Sequence, residues 1–241
     1  MASSFQIYGH RGSSGTHPEN TLLSFQAAQR AGAHGIELDV QLTKDLVPVV
    51  IHDERVERTT NGIGFVKDFL YEDLIRLDAG QTFSNRFQGT SIPSLKTVLE
   101  WASSTSLLLN IELKNGVFPY NSLEDRVLDL LTHYKLCDRT ILSSFNHYSI
   151  QKLAQKNDKI ETAVLLMEKI IEPWNYLQRV GAKSLHIEWQ AVDEHLMENT
   201  QKRDIPVRPF TVNDPLQVSN LQKLGCSAIF TDYPAAAIQT L

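Results

Sequence analysis

The chain has 241 residues, 42% of them hydrophobic, a length that suits one large domain or two small ones. That composition can bury roughly 70–75% of the unfolded surface, which excludes a disordered chain. Lys and Arg number 23 against 28 Asp and Glu, a formal net charge of −5. The missing basic surplus argues against a general nucleic-acid binder, while a locally positive pocket for a small anion stays open.

In chain order, short apolar runs read as strands at 5–9, 35–41, 47–51, 107–113, 140–144, 161–167, 184–188, 207–212 and 228–231. Helical periods lie between them at 20–31, 94–102, 123–134, 147–155, 173–180, 193–202 and 215–224. Ser94, Asp193 and Asn213-Asp214-Pro215 read as N-terminal caps, and Gly32, Gly181 and Gly225 as helix ends. Such alternation predicts an α/β fold, a TIM (β/α)8 barrel, in a single domain spanning 1–241. An open doubly wound sheet is the runner-up, without the GxGxxG that usually follows its first strand. Residues 54–92 break the rhythm with crowded turn signals and one short helical pattern at 71–77, and are expected to form a small inserted subdomain after an early strand. Cys137 and Cys226 are too few for a disulfide framework and read as small buried hydrophobes. Residues 1–6 lack a basic segment leading into an apolar run, and no stretch of about eighteen apolar residues occurs. The expectation is a cytoplasmic protein, monomer or homodimer, with neither membrane nor nucleic-acid partner.

Within 35–40, Ile36, Leu38 and Val40 alternate with Glu37 and Asp39, so two carboxylates point into the lumen, about 6.5–7 Å apart by strand rise. The run 107–114 repeats the pattern, with Leu108, Asn110, Glu112 and Lys114 sharing the inner face. An oxygen-only set of Glu37, Asp39 and Glu112 suits a hard divalent cation, Mg2+ or Ca2+. A lumenal layer of ion pairs neutralised by Arg11 and Lys114 is the competing explanation. His10 and His52 end two early strands and belong at the same rim, where a pair of imidazoles can act as acid and base. Asp53 either orients His52 or caps the insertion. Arg11 and Lys114 add two positive groups suited to a phosphate.

These residues carry a resemblance to the glycerophosphodiester phosphodiesterase family. The matching segments are Gly9-His10-Arg11-Gly12, Pro18-Glu19-Asn20-Thr21, Gly35-Ile36-Glu37-Leu38-Asp39-Val40, Pro48-Val49-Val50-Ile51-His52-Asp53 and Asn110-Ile111-Glu112-Leu113-Lys114, followed by Thr211-Val212-Asn213-Asp214 and Thr231-Asp232-Tyr233-Pro234. The resemblance spans essentially the whole chain. It implies a barrel with the family's inserted subdomain, one divalent cation on Glu37, Asp39 and Glu112, His10 and His52 as the acid/base pair, Arg11 and Lys114 beside the phosphate, and Glu19 in support. It also implies glycerophosphodiester substrates, cleaved to sn-glycerol 3-phosphate and an alcohol such as choline or ethanolamine. Phe210 stands where the family often has a tryptophan, which removes an indole hydrogen bond from that wall. Two rival readings are a lysophospholipase D-type enzyme and a non-catalytic phosphodiester-binding relative. The first lacks a polybasic or amphipathic membrane-facing segment, and the second has no need of both histidines.

Elsewhere, Phe65, Phe69, Phe83 and Phe87 can wall a pocket, but most of them are expected to form the insertion's own core. Glu188 and Trp189 can meet a cationic head group, although barrel-end packing explains them as well. His17, His34, His133, His147 and His195 read as structural or solvated. His186 is left unassigned, with a strand parity that can face it into the lumen.

Overall fold

The computed structural model describes residues 5–241; residues 1–4, part of the segment examined for a leader, lie outside that range. Eight parallel strands form the ring: β1 (Gln6–Gly9), β2 (Gly35–Leu42), β4 (Leu108–Leu113), β5 (Thr140–Ser144), β6 (Glu161–Leu166), β7 (Ser184–Glu188), β8 (Val207–Phe210) and β9 (Ala228–Thr231). Their order is β8-β7-β6-β5-β4-β2-β1-β9. Between β8 and β9, Ser227 N–H donates to Val207 O at 2.9 Å and Val212 N–H to Phe230 O at 2.8 Å, which nearly closes the ring. Helices α1 (Leu22–Arg30), α3 (Leu95–Ser103), α4 (Leu123–His133), α5 (His147–Lys156), α6 (Pro173–Val180), α7 (Glu194–Gln201), α8 (Pro215–Lys223) and α9 (Pro234–Thr240) lie between or after the strands, and α2 (Tyr71–Leu74) sits in the long early connection. The expected barrel is the observed one.

The run 47–51 is not a stave. It forms β3 (Pro48–Val50), which folds back antiparallel on β2 with Val40 opposite Val50 and Leu42 opposite Pro48. Its connector, residues 43–47, falls far short of the roughly dozen residues a parallel crossover needs. The turn is held by Thr43, whose Oγ1 accepts from Val47 N–H at 2.9 Å and donates to Asp45 at 2.6 Å. This reversal carries His52 back toward the end of β2.

All three predicted caps accept a backbone N–H: Ser94 from Thr97, Asp193 from Leu196 and Asp214 from Leu216. Caps of this kind contribute about 1 kcal/mol each. The unpredicted α9 opens with Pro234 in its first turn, where the missing N–H costs nothing. Ile36, Leu38, Val40, Leu109 and Ile111 face the helices in the main core, leaving the opposite parity for the lumen. Lower in the lumen, Tyr8, Ile141, Ala163, Ala228 and Phe230 form a separate plug. Beneath it Arg208 donates to Glu161 at 2.6 Å, and burial pushes the Tyr8 hydroxyl up to about 12.

Residues 54–92 contain α2, short 3-10 turns at Val66–Asp68 and Asn85–Phe87, and an isolated bridge between Arg55 and Phe65. Val56, Val66, Leu74 and Ile92 gather with Val49 and Ile51 into an apolar cluster of their own. Of the four phenylalanines, Phe69 packs on this cluster. Phe65 instead meets Phe118 edge-on, and Phe83 pairs with Phe87. The expectation that most of them form the insertion's own core is therefore corrected: of the four, Phe69 joins it.

Candidate active site

β1 delivers His10, Arg11 and Gly12 to the C-terminal rim of the barrel. Arg11 and Gly12 are both left-handed, with φ of 53° and 86°. The resulting turn aims the Arg11 N–H at Glu37 Oε2 across 2.7 Å. A Cβ at Gly12 would lie 2.4 Å from Ser24 Oγ, so both its backbone angle and its space require glycine.

The β2–β4 register sets Asp39 opposite Glu112 and Glu37 opposite Asn110. Oxygens of Glu37, Asp39 and Glu112 all lie within 4.8 Å of one another. Burial raises the Glu37 carboxyl well above its ordinary value, and the charges of Asp39 and Glu112 push the same way. Glu112 is raised too, by burial and then by Asp39, with Lys114 opposing. Asp39 is also buried, but Arg11, His52 and Lys114 outweigh that effect and hold it below the usual range. A cluster whose members resist ionising together accommodates a hard cation, and its all-oxygen donors fit Mg2+ or Ca2+.

Both histidines reach this rim. His10 Nδ1 lies 2.7 Å from Asp232 Oδ1, and His52 Nδ1 lies 2.6 Å from Asp53 Oδ1. With ionised carboxylates accepting, each Nδ1 is the donor, and it is the Nε2 of each ring that faces the rest of the site. Burial works to raise Asp232, yet hydrogen bonds from His10, Asn213 and Ser14 bring it down to about 2. Gln41 Nε2 donates to the carbonyls of Ile51, His52 and Asp53 at 3.3, 3.0 and 2.6 Å, pinning the chain that carries His52.

The positive groups stand between these parts. Lys114 Nζ donates to Glu112 Oε1 at 2.8 Å and to His52 Nε2 at 3.1 Å, and lies 4.0 Å from Asp39. Arg11 donates to Glu19 Oε1 at 2.9 Å, and its Nε forms a 3.4 Å ion pair with Asp39. Arg58 donates to both oxygens of Glu19, at 2.7 and 2.8 Å, and to Asp53 at 2.6 Å. Glu19 thus ties the first histidine loop to the second through two arginines. A cavity of about 380 Å³ opens beside this array, with His10, His52 and Glu112 on one side and Phe145, His186 and Phe210 on the other.

All eight predicted site residues, His10, Arg11, Glu19, Glu37, Asp39, His52, Glu112 and Lys114, converge on this rim. Sequence reasoning assigns no role to Asp232 or Asn20, although both stand in the matching segments, nor to Arg58 or Gln41; Asn20 Nδ2 donates to Asp39 Oδ2 at 2.8 Å. The available signal for Asp232 was its place directly after the last strand, at the rim that carries the site. Glu188 lines the cavity, while Trp189 packs partly against the outer core. His147 is no solvated residue, since Nδ1 meets Tyr176 Oη at 2.7 Å and Nε2 meets Leu165 O at 2.9 Å. Cys226 is buried as expected; Cys137 is only half-buried. No helix among the described residues is long and apolar enough to cross a membrane.

With this geometry in place, comparison with known proteins is decisive. The family model described as the glycerophosphoryl diester phosphodiesterase family matches residues 10–236. The chain belongs to that family. It is 42% identical to a glycerophosphodiester phosphodiesterase from Bacillus altitudinis, over 97% of each chain. A second, from Caldanaerobacter subterraneus subsp. tengcongensis, is 40% identical over 96% of each. Among solved structures, a phosphodiesterase from Oleispira antarctica in complex with the product sn-glycerol-3-phosphate superposes with a TM-score of 0.93 at 29% identity, covering 98% of this chain and 96% of that one. The sequence's resemblance and the expectation of an enzyme of this family are both borne out.

Proposed function

We propose that this phosphodiesterase hydrolyses water-soluble glycerophosphodiesters, such as glycerophosphocholine and glycerophosphoethanolamine, to sn-glycerol 3-phosphate and a free alcohol. The observation that carries the reading is the pairing of two carboxylate-anchored histidines with a buried three-carboxylate cluster at one cavity. The product in the Oleispira antarctica complex supports the same substrate class.

Glu37, Asp39 and Glu112 would hold one divalent cation, Mg2+ or Ca2+, which when bound would supply positive charge against the phosphoryl oxygens. Arg11 and Lys114 face the same phosphate and add fixed charge as negative charge builds during attack. His10 and His52 divide the proton transfers. One Nε2 takes the proton from the attacking water, or from the glycerol 2-hydroxyl on the way to a cyclic phosphate, while the other donates to the departing alkoxide as the P–O bond breaks. Asp232 and Asp53 hold each Nδ1–H, so the ring that acts as base works through a bare Nε2. The ring that acts as acid is an imidazolium that gives up its Nε2 proton, with the paired carboxylate stabilising its charge. Glu19 positions Arg11 and Arg58 rather than touching substrate.

Residues 54–92 act in this reading as an inserted subdomain that shapes the entrance to the cavity. Phe83 lines a cleft with His10, Arg11 and Glu19, which puts the insertion's apolar surface beside the reaction. The test is product identification on a panel of glycerophosphocholine, glycerophosphoethanolamine and lysophosphatidylcholine. The reading expects sn-glycerol 3-phosphate from the first two. Turnover confined to the acylated substrate would replace it with a lysophospholipase D-type activity, and binding without turnover would make the protein a phosphodiester carrier.

A further inference from the structure

At the N-terminal ends of the strands the barrel opens into a second cavity, of about 580 Å³. It is larger than the cavity of about 380 Å³ at the catalytic rim and falls in the size range of small-molecule sites. The apolar plug in the lumen separates the two: Tyr8 and Ile141 line the lower cavity, and Phe230 lines the upper one. No step of the proposed hydrolysis uses the lower cavity. Its wall comes from the residues that lead into three adjacent strands. Arg139 immediately precedes β5, Lys159 stands two residues before β6, and Lys183 immediately precedes β7. Neighbouring strands lie about 4.8 Å apart, so these three cations form an arc roughly 10 Å across.

None of the three is paired with a carboxylate among the described residues. Arg139 donates to the carbonyls of Leu107 and Ala102, at 2.7 Å each, and Lys183 to those of Asp158 and Ile160. The exposed Lys159 side chain has no partner there at all. A carbonyl satisfies a donor but leaves the positive charge without a counter-ion. Burial alone accordingly lowers the Arg139 guanidinium from its ordinary value. The floor holds a fourth cation, Arg208, already paired with Glu161 at 2.6 Å. Two exposed carboxylates, Asp138 and Asp204, also line the cavity, so three free cations face two acids on a chain whose net charge is −5. A single phosphate cannot touch cations spread over that arc, whereas two phosphates on a short skeleton can, and an Arg with two Lys suits them. We propose that the lower cavity is a second binding site, separate from the catalytic one, for a small molecule carrying two phosphate groups. One phosphate sits between Arg139 and Lys159 and the other beside Lys183.

The experiment is a calorimetric titration of the cation-loaded protein with butane-1,4-diyl bisphosphate in low salt, where exposed charges are least screened. Excess sn-glycerol 3-phosphate keeps the upper cavity filled. One bisphosphate is expected to bind per chain, about tenfold or more tighter than methyl phosphate, which reaches only part of the arc. Lys159→Glu combined with Lys183→Glu should weaken it by about tenfold to a hundredfold, as attraction turns to repulsion. Lys159→Glu alone should show part of that loss, and it serves if Lys183, anchored on two carbonyls, is needed for folding. Lys96→Glu makes the same charge change at an exposed position of α3, outside the cavity, and should leave the affinity unchanged. Wild-type affinity in the Lys159 and Lys183 variants, an equal loss in Lys96→Glu, or no binding by the wild type overturns the site. Hydrolysis of glycerophosphocholine by the double variant should stay at the wild-type rate, because the substituted lysines lie at the opposite mouth from the histidines.

Discussion

Lys114 donates to Nε2 of His52 across 3.1 Å, while Asp53 holds the opposite nitrogen of that ring at 2.6 Å. One ammonium therefore links a metal-type carboxylate, Glu112, to a histidine of the proposed acid/base pair. Lys114→Met should lower kcat by about 10²–10³-fold, the usual loss when a fixed positive donor leaves a site where charge develops. Steady-state kinetics on glycerophosphocholine would measure it. A variant with near wild-type kcat would show that Lys114 only neutralises the carboxylate layer.

Asp232 bears on His10 in the same way and gives a prediction in pH. Its native value of about 2 lies below the ordinary 3.8, so the contact stabilises the fold fully above the unfolded value and loses that contribution as pH falls through the native one. Asp232→Asn should therefore be less stable than the wild type at neutral pH. The gap should narrow from about pH 4 downward. Paired denaturant titrations at pH 7 and pH 3 measure this, and a gap that widens in acid would contradict the assignment. The same variant should lose about 10²–10⁴-fold in kcat through the freed tautomer of His10.

Gly12 tests the backbone of the site. Its positive φ and its contact with Ser24 both forbid a side chain, so Gly12→Ala should cost about 1–4 kcal/mol and shift the urea midpoint accordingly. Activity should fall further than stability alone explains, because the same turn aims the Arg11 N–H at Glu37. Equal stability in the alanine variant would mean the loop relaxes easily and does not fix the rim.

Much of this was legible because a period of two sorts residues without ambiguity. Ile36, Leu38 and Val40 had to face one way and Glu37 and Asp39 the other, and the parallel register then supplied Glu112 beside Asp39. What was lost depended on long-range closure. Asp232 meets His10 only because β9 pairs with β1 across nearly the full length of the chain. Arg58 reaches Glu19 by spanning two loops that have no periodicity. The reversal at β3 was misread for a related reason, since alternation identifies a strand but carries no sign of its direction. His186 showed its parity in the sequence, but its lack of partners is a property of the assembled lumen.

The most direct measurement follows release of sn-glycerol 3-phosphate from glycerophosphocholine by protein stripped with a chelator, then resupplied with Mg2+ or Ca2+, beside Glu112→Gln and His10→Ala. Stripped protein should release none, with recovery on adding one of the cations. A thermal shift equivalent to about 2.7 kcal/mol is expected when that cation is present at a hundred times its dissociation constant, and none in Glu112→Gln. His10→Ala should bind the cation, show the shift and stay inactive. Full turnover by the stripped protein, or undiminished turnover by His10→Ala, would contradict a cation on Glu37, Asp39 and Glu112 working with a histidine pair.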